Sequence, residues 1–220
     1  MTTLIADPRV AALAVHDNAE PLVDLAACGI VCAAASESEP ASAGRDAATR
    51  RHVRAGVARR LVEADAALPV GIRLLVVEGL RTPAAQRAIL AAYSDELRVG
   101  FAGIGEAEVQ RLTSRYVAPL HVAPHVAGAA VDVTLIDGAG CELPMGTPVD
   151  ATPEESGGAI AFDAADISAQ ARVNRSLLAE VLTGAGLVNY PTEWWHWSYG
   201  DRYWAHVTGA QAACYGPVAR

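Results

Sequence analysis

The chain has 220 residues, 52% of them hydrophobic, and 17 Lys and Arg against 25 Asp and Glu give a net charge of −8. A chain of this length buries about 70% of its unfolded surface and needs no staples, its apolar content excludes disorder, and its acidic balance argues against a nucleic-acid partner, which requires a basic footprint. No apolar run approaches the about 20 residues of a membrane span, and the opening MTTLIADPRV lacks a basic n-region, so a cytoplasmic chain with no membrane partner is expected.

In chain order, residues 34–49, rich in Ala, Ser and Glu, read as a long loop. Residues 50–68 follow as an amphipathic helix, with Val53, Val57, Leu61, Ala64 and Leu68 at helical spacing. IRLLVVEG, residues 72–79, is a short aliphatic run ended by Gly79 and reads as a strand buried on both faces. Thr82-Pro83 is an N-cap followed by Pro at the first helical position, predicting a helix to about Tyr93. A second helix is expected over 105–117. AAVDVTLID, residues 129–137, alternates as a strand and ends at the turn signal Asp137-Gly138. Residues 171–186 form a helix with a Gly stop, and the aromatic segment Trp194 to Tyr199 closes the sheet. The order implies an α+β fold with a small, mostly antiparallel central sheet flanked by helices. We expect one domain over 1–220, with an N-terminal arm and loop over 1–49 and a catalytic core over 50–205.

Four cysteines, Cys28, Cys32, Cys141 and Cys214, are expected to be buried reduced thiols. Cys28 and Cys32, four apart, can share a helix face as metal ligands, but no second Cys or His pair stands at zinc-finger spacing.

Two stretches carry chemistry. In HVAGAAVD, His125 and Asp132 are separated by Gly128. Ala130, Asp132 and Thr134 share one face of the strand, while Val131, Val133 and Leu135 fill the core. Pro124 bars a helix through His125, which therefore belongs to the loop entering the strand, and a bend at Gly128 would bring its ring to the Asp132 carboxylate. In PTEWWHW, residues 191–197, Glu193 and His196 would point to opposite faces of a straight strand, so they converge only if the chain bends or Glu193 lies in the lead-in. The surrounding Trp residues then rigidify the bend and exclude water, and a carboxylate against indole has its pKa raised toward that of a general base. His125, Asp132 and His196 make a two-His, one-carboxylate set of the kind zinc takes, with a fourth position for water and Glu193 as the base for it. A structural role for each is the alternative. His121 lies four before His125, but Pro124 interrupts any helix that would pair them; His16, His52 and His206 stand alone. Arg81, in EGLRTP, follows a strand end and is either an oxyanion clamp or half of a surface ion pair. Asp150, in MGTPVD, means nothing on its own.

Taken together these segments resemble the VanX-type D-alanyl-D-alanine dipeptidases, zinc enzymes in the group that includes lysostaphin-like peptidases and hedgehog domains. The family pattern S-x-H-x-x-G-x-A-x-D matches at His125, Gly128, Ala130 and Asp132, and E-W-W-H matches Glu193 to His196. The related carboxypeptidases usually show Pro in place of the first Trp. Arg81 in EGLRTP and Asp150 in MGTPVD fall on the family's Arg and its substrate-amine carboxylate, in the right order across about residues 70–205. Two stretches depart: Ala123 and Pro124 stand where the pattern has Ser and a variable residue, and VDLAACGIVCAAA occupies the place of the R-Y-A-T and F-T-G stretches.

The resemblance implies one zinc ion per chain on His125, Asp132 and His196. Glu193 would take a proton from the metal-bound water, Arg81 would stabilise the oxyanion, and Asp150 would pair with the free ammonium of a dipeptide. The implied activity is hydrolysis of D-Ala-D-Ala or a similar small D-containing dipeptide, in cell-wall chemistry. The dipeptide is the only partner implied, a homodimer being left open. The rivals are a peptidoglycan D,D-carboxypeptidase or endopeptidase on the same scaffold, and a non-catalytic zinc-binding module.

Overall fold

A computed structural model describes residues 2–34 and 48–218. Most of the loop expected over 34–49 lies outside the described residues. The elements in order are α1 (Pro8–Ala11), β1 (Ala14–Val15), β2 (Leu22–Asp24), β3 (Val31–Cys32), β4 (His52–Arg54), α2 (Ala55–Ala66), β5 (Ile72–Glu78), α3 (Pro83–Gly100), α4 (Glu106–Tyr116), β6 (Ala130–Asp137), α5 (Ala169–Gly184), β7 (Val188–Asn189), β8 (His196–Ser198), α6 (Arg202–Thr208) and β9 (Ala212–Ala213). The α+β class with a small central sheet is as expected. Among the described residues no helix is long and apolar enough to cross a membrane.

The central sheet runs β3-β5-β6-β8-β7, with β3 parallel to β5 and every other pair antiparallel. Two small sheets pair β1 with β9 and β2 with β4. Central β6 buries Val131, Val133 and Leu135 completely, in one cluster with Val57 and Leu61 of α2 and Leu178 and Leu182 of α5. Strand alternation then turns Ala130, Asp132 and Thr134 to the opposite face. Fully burying aliphatic side chains of this size is worth about 1.5–3 kcal/mol each, so a one-residue slip of β6, which would expose the core row, is strongly disfavoured.

Register sets a polar row across the sheet. Glu78 pairs with Asp132, and Asp132 with His196, so the three lie side by side across β5, β6 and β8. A register shift between Val76 and Glu78 brings Glu78 into that row.

Several elements depart from expectation. The helix expected over 50–68 begins only at Ala55. Residues Thr49–Arg51 form a 3-10 turn and His52–Arg54 a strand on β2. The Arg50 and His52 carbonyls are taken by the Gly79 and Leu80 amides, so they are lost to a helix. α3 runs on past Tyr93 to Gly100, because Tyr93 and Leu97 bury themselves with Val117 beyond α4. The aromatic segment supplies a strand of three residues, and β7, not β8, is the sheet edge. In β5, burial alternates rather than covering both faces. No cysteine is fully buried: Cys28 and Cys141 are exposed and Cys32 and Cys214 half-buried.

Candidate active site

The segment before β6 forms a single 3-10 turn, Pro124–Ala127, ended by Gly128 at φ 64°. Pro124 therefore starts a short helical turn rather than barring one. At the first position its missing N–H costs nothing. A Cβ on Gly128 would meet Leu22 Cδ2 at 2.8 Å in a backbone conformation that side chains rarely adopt. The turn carries His125 back onto Asp132, as the Gly128 bend suggested.

After β7, a turn closed by the Glu193 amide on the Tyr190 carbonyl and the His196 amide on the Glu193 carbonyl leads into β8. Glu193 thus lies in the lead-in, and this is how an odd separation puts it on the same side as His196. Trp194, Trp195 and Trp197 are each 1% exposed. Trp194 Nε1 donates to Thr147 Oγ1 at 2.8 Å and Trp197 Nε1 to the Trp194 carbonyl at 3.1 Å, bracing the turn, while Trp195 lines the cleft.

Three side chains converge. His125 Nε2 is 3.1 Å from His196 Nδ1 and 3.3 Å from Asp132 Oδ2, and His196 Nδ1 is 3.2 Å from Asp132 Oδ1. His125 Nδ1 donates to the Gly79 carbonyl at 2.7 Å, which leaves its Nε2 lone pair facing the other two residues. All three residues are buried, and they are the sole group of metal-ligating type among the described residues. His121, His16, His52 and His206 stand outside it, and so do Cys28 and Cys32.

Glu193 Oε2 lies 3.9 Å from His196 Nδ1, and its Oε1 is buried with no hydrogen-bond partner. Burial pushes the Glu193 carboxyl well above the usual range, with Asp132 and Asp150 adding and Arg81 opposing. Burial also raises Asp132, but the His125 and His196 rings outweigh it and hold that carboxylate well below the ordinary value. Burial lowers both His rings; His196 stays lowered, while Asp132 turns His125 upward.

Arg81 is not a surface ion pair. Its side chain is 10% exposed, and it donates to buried Glu78 through Nε at 3.0 Å and Nη2 at 2.5 Å and to Gln86 Oε1 through Nη1 at 3.1 Å. Its Nη2 also lies 3.9 Å from Asp132. Burial lowers its pKa, but the Glu78 carboxylate more than reverses this, so the guanidinium stays charged.

Asp150 reaches the site from the loop after β6. Arg175 of α5 holds that loop by donating to the Met145, Ala159 and Ala161 carbonyls at 2.8, 2.8 and 2.6 Å. Burial, with Arg172 adding, pulls the Arg175 pKa down to about 10.

His125, Asp132, His196, Glu193, Arg81 and Asp150 all line one cleft. Ala123 and Pro124 line it too. Sequence reasoning did not single out Gln86, Tyr116, Tyr190 and Ile5, which also line it. Only Glu78 left a local signal, a carboxylate ending an otherwise aliphatic strand.

Among known proteins, the family model described as peptidase M15, D-Ala-D-Ala dipeptidase, matches residues 43–211. The chain is similar to a D-alanyl-D-alanine dipeptidase of Synechocystis sp., 32% identical over 119 residues, 46% of each chain. It is also similar to one of Escherichia coli strain K12, 33% identical over 91 residues, 41% of this chain and 45% of the relative. The match thus spans a little under half the length of these curated relatives. Among solved structures it is similar to VanYB in complex with D-alanine-D-alanine (19% identity, TM-score 0.46, 72% of this chain and 78% of that one). It is also similar to a VanY D,D-pentapeptidase in complex with Zn(II) (16% identity, TM-score 0.45, 93% and 96%).

Proposed function

The chain belongs to the M15 family of D-Ala-D-Ala dipeptidases, and from that premise we propose that it hydrolyses D-Ala-D-Ala or a similar small D-containing dipeptide with one zinc ion per chain. The observation that carries this reading is the spacing of the three buried donors. Donors about 2.0–2.1 Å from a tetrahedral zinc stand about 3.3 Å apart; His125 Nε2 and His196 Nδ1 are 3.1 Å apart, Asp132 places Oδ2 3.3 Å from the first and Oδ1 3.2 Å from the second, and one donor atom of each residue lies within 4.8 Å of the others. Two imidazoles and one carboxylate are a donor set for zinc. The ion therefore fits these residues: His125, Asp132 and His196 would hold it. When bound, it supplies Lewis-acid chemistry, polarising a carbonyl and making water nucleophilic at neutral pH.

The chain's own groups divide the remaining work. Glu193, with one oxygen unpartnered, accepts a proton from the attacking water and returns it to the leaving amine. Arg81, gripped by Glu78 and Gln86, holds a fixed positive charge against the oxygen that gains negative charge. Asp150 pairs with the substrate ammonium. A peptide acylated at that nitrogen brings no cation to Asp150, which selects dipeptides over longer chains.

The test is metal analysis together with steady-state turnover of the stereoisomers of Ala-Ala and of N-acetyl-D-Ala-D-Ala. Expected are about one zinc per chain and at least tenfold preference for free over acetylated D-Ala-D-Ala. Preference for the acetylated substrate would assign a carboxypeptidase instead, and zinc without turnover a binding module.

A further inference from the structure

The loop bearing Asp150 contains backbone that side chains rarely adopt. Asp150 has φ 64°, one of two non-Gly residues with positive φ among those described. Such a conformation persists only where the surroundings over-determine it, and it gathers at functional sites. Here the surroundings are a pair of tyrosines from the α3–α4 hairpin. Tyr116, the last residue of α4, donates its hydroxyl to the Asp150 carbonyl at 2.7 Å. Its ring lines the cleft and packs edge-on against Tyr93 of α3, with centroids 5.0 Å apart at 63°. Tyr93 donates to Glu154 Oε2 at 2.7 Å. Two phenols in mutual contact thus grip the loop at residues 150 and 154. Burial and then the Asp150, Glu193 and Asp132 carboxylates push the Tyr116 pKa up, so the hydroxyl remains a donor.

We propose, resting on the reading of Asp150 as the ammonium partner, that Tyr116 is a positioning residue that sets the site's selectivity for free dipeptides, because its hydroxyl fixes the peptide plane that aims the Asp150 carboxylate. Neither the metal donors nor Glu193 depends on this bond. Its loss therefore alters how the ammonium is bound and leaves the chemical step intact.

The test is steady-state kinetics on the zinc-loaded 220-residue wild type, Tyr116→Phe, Asp150→Asn and the double variant, with free and N-acetylated D-Ala-D-Ala. In Tyr116→Phe, KM for the free dipeptide rises about tenfold while kcat stays within about threefold. Zinc content is unchanged, and the free-to-acetylated preference shrinks by the same factor. In the Asp150→Asn background the same substitution has no further effect. Preference retained in Tyr116→Phe but lost in Asp150→Asn overturns the clamp alone. An equal loss with and without the Asp150 carboxylate also overturns it, since Tyr116 would then act on the fold at large. No preference in wild type, with Asp150→Asn indistinguishable from it, overturns the underlying reading and the proposal with it. Should Tyr116→Phe not fold, Tyr93→Phe, which frees only the Glu154 end, is read the same way. A smaller loss of preference of the same sign supports the clamp, and unchanged preference overturns it.

Discussion

Glu193 occupies a position that suits the general base proposed for it. It is buried, one oxygen has no partner, and its neighbours Asp132 and Asp150 repel its charge. A buried carboxylate with an unpartnered oxygen costs stability, and perturbed carboxylates of this kind cluster at functional sites. Its pKa rises first from burial and then from those two carboxylates, a cause that the indole-rich sequence only half suggested. Glu193→Gln keeps the shape and removes the basicity. We expect kcat to fall by about 100- to 10,000-fold with zinc content unchanged, measured by steady-state assay beside metal analysis. Turnover near the wild-type rate would remove Glu193 from the mechanism. At this scale His125, Asp132, His196, Glu193 and Arg81 were legible as candidates that the fold brings to one cleft, several of them because they break the pattern around them: a charge on an apolar strand, a His after a turn-forming Pro, a carboxylate among indoles. Tyr116 and Gln86 break no pattern, since an aromatic or amide on an amphipathic helix looks like any other.

At the scale of elements, caps and register do the positioning. Thr82 Oγ1 accepts the Ala85 amide at 3.1 Å and Pro83 opens α3, as its sequence predicts. The first turn of that helix supplies Gln86, which holds both Arg81 and the Ala118 carbonyl. Thr82→Ala should therefore cost about 1 kcal/mol of stability, read by urea denaturation. It should also lower kcat, because the loosened turn no longer fixes the guanidinium; a stability loss with unchanged kcat would uncouple the cap from Arg81. The long periodic elements, α2, α4, α5, β5 and β6, were legible from their own residues. Strands of two or three residues, such as β2, β3 and β7, are too short to show alternation and exist only because a neighbour supplies their hydrogen-bond partners.

The whole molecule joins its two ends. β1 pairs in parallel with β9. The Tyr215 hydroxyl donates to Glu20 Oε2 at 2.6 Å, and Arg54 donates to both Asp17 and the Gly216 carbonyl at 2.9 and 3.0 Å. Burial raises Glu20 and Asp17, but hydrogen bonds from Tyr215 and Gly56 to the first, and from Ala19 and Gly216 with Arg54 to the second, hold both below their ordinary values. A carboxylate with a lowered folded pKa stabilises the fold above its unfolded pKa, about 4, and that contribution is lost as pH falls through the folded value. Thermal midpoints should therefore drop on acidification below about pH 4.5, and Glu20→Gln should lower the neutral midpoint while flattening part of that acid limb. An acid limb unchanged in the variant would remove Glu20 from the linkage. The same folding-together brings Ile5 to the cleft, 185 residues from Tyr190, whose hydroxyl its amide meets at 3.4 Å.

By itself the sequence determined the candidate chemical residues and the helices and strands long enough to carry a period, because both are local properties of a few consecutive side chains. Tertiary structure alone decided that Glu78, Asp132 and His196 share one row, that a tyrosine pair grips the Asp150 loop, and that the N-terminal segment walls the cleft. Those are relations between segments distant along the chain, fixed by strand register and burial, and no local pattern encodes them.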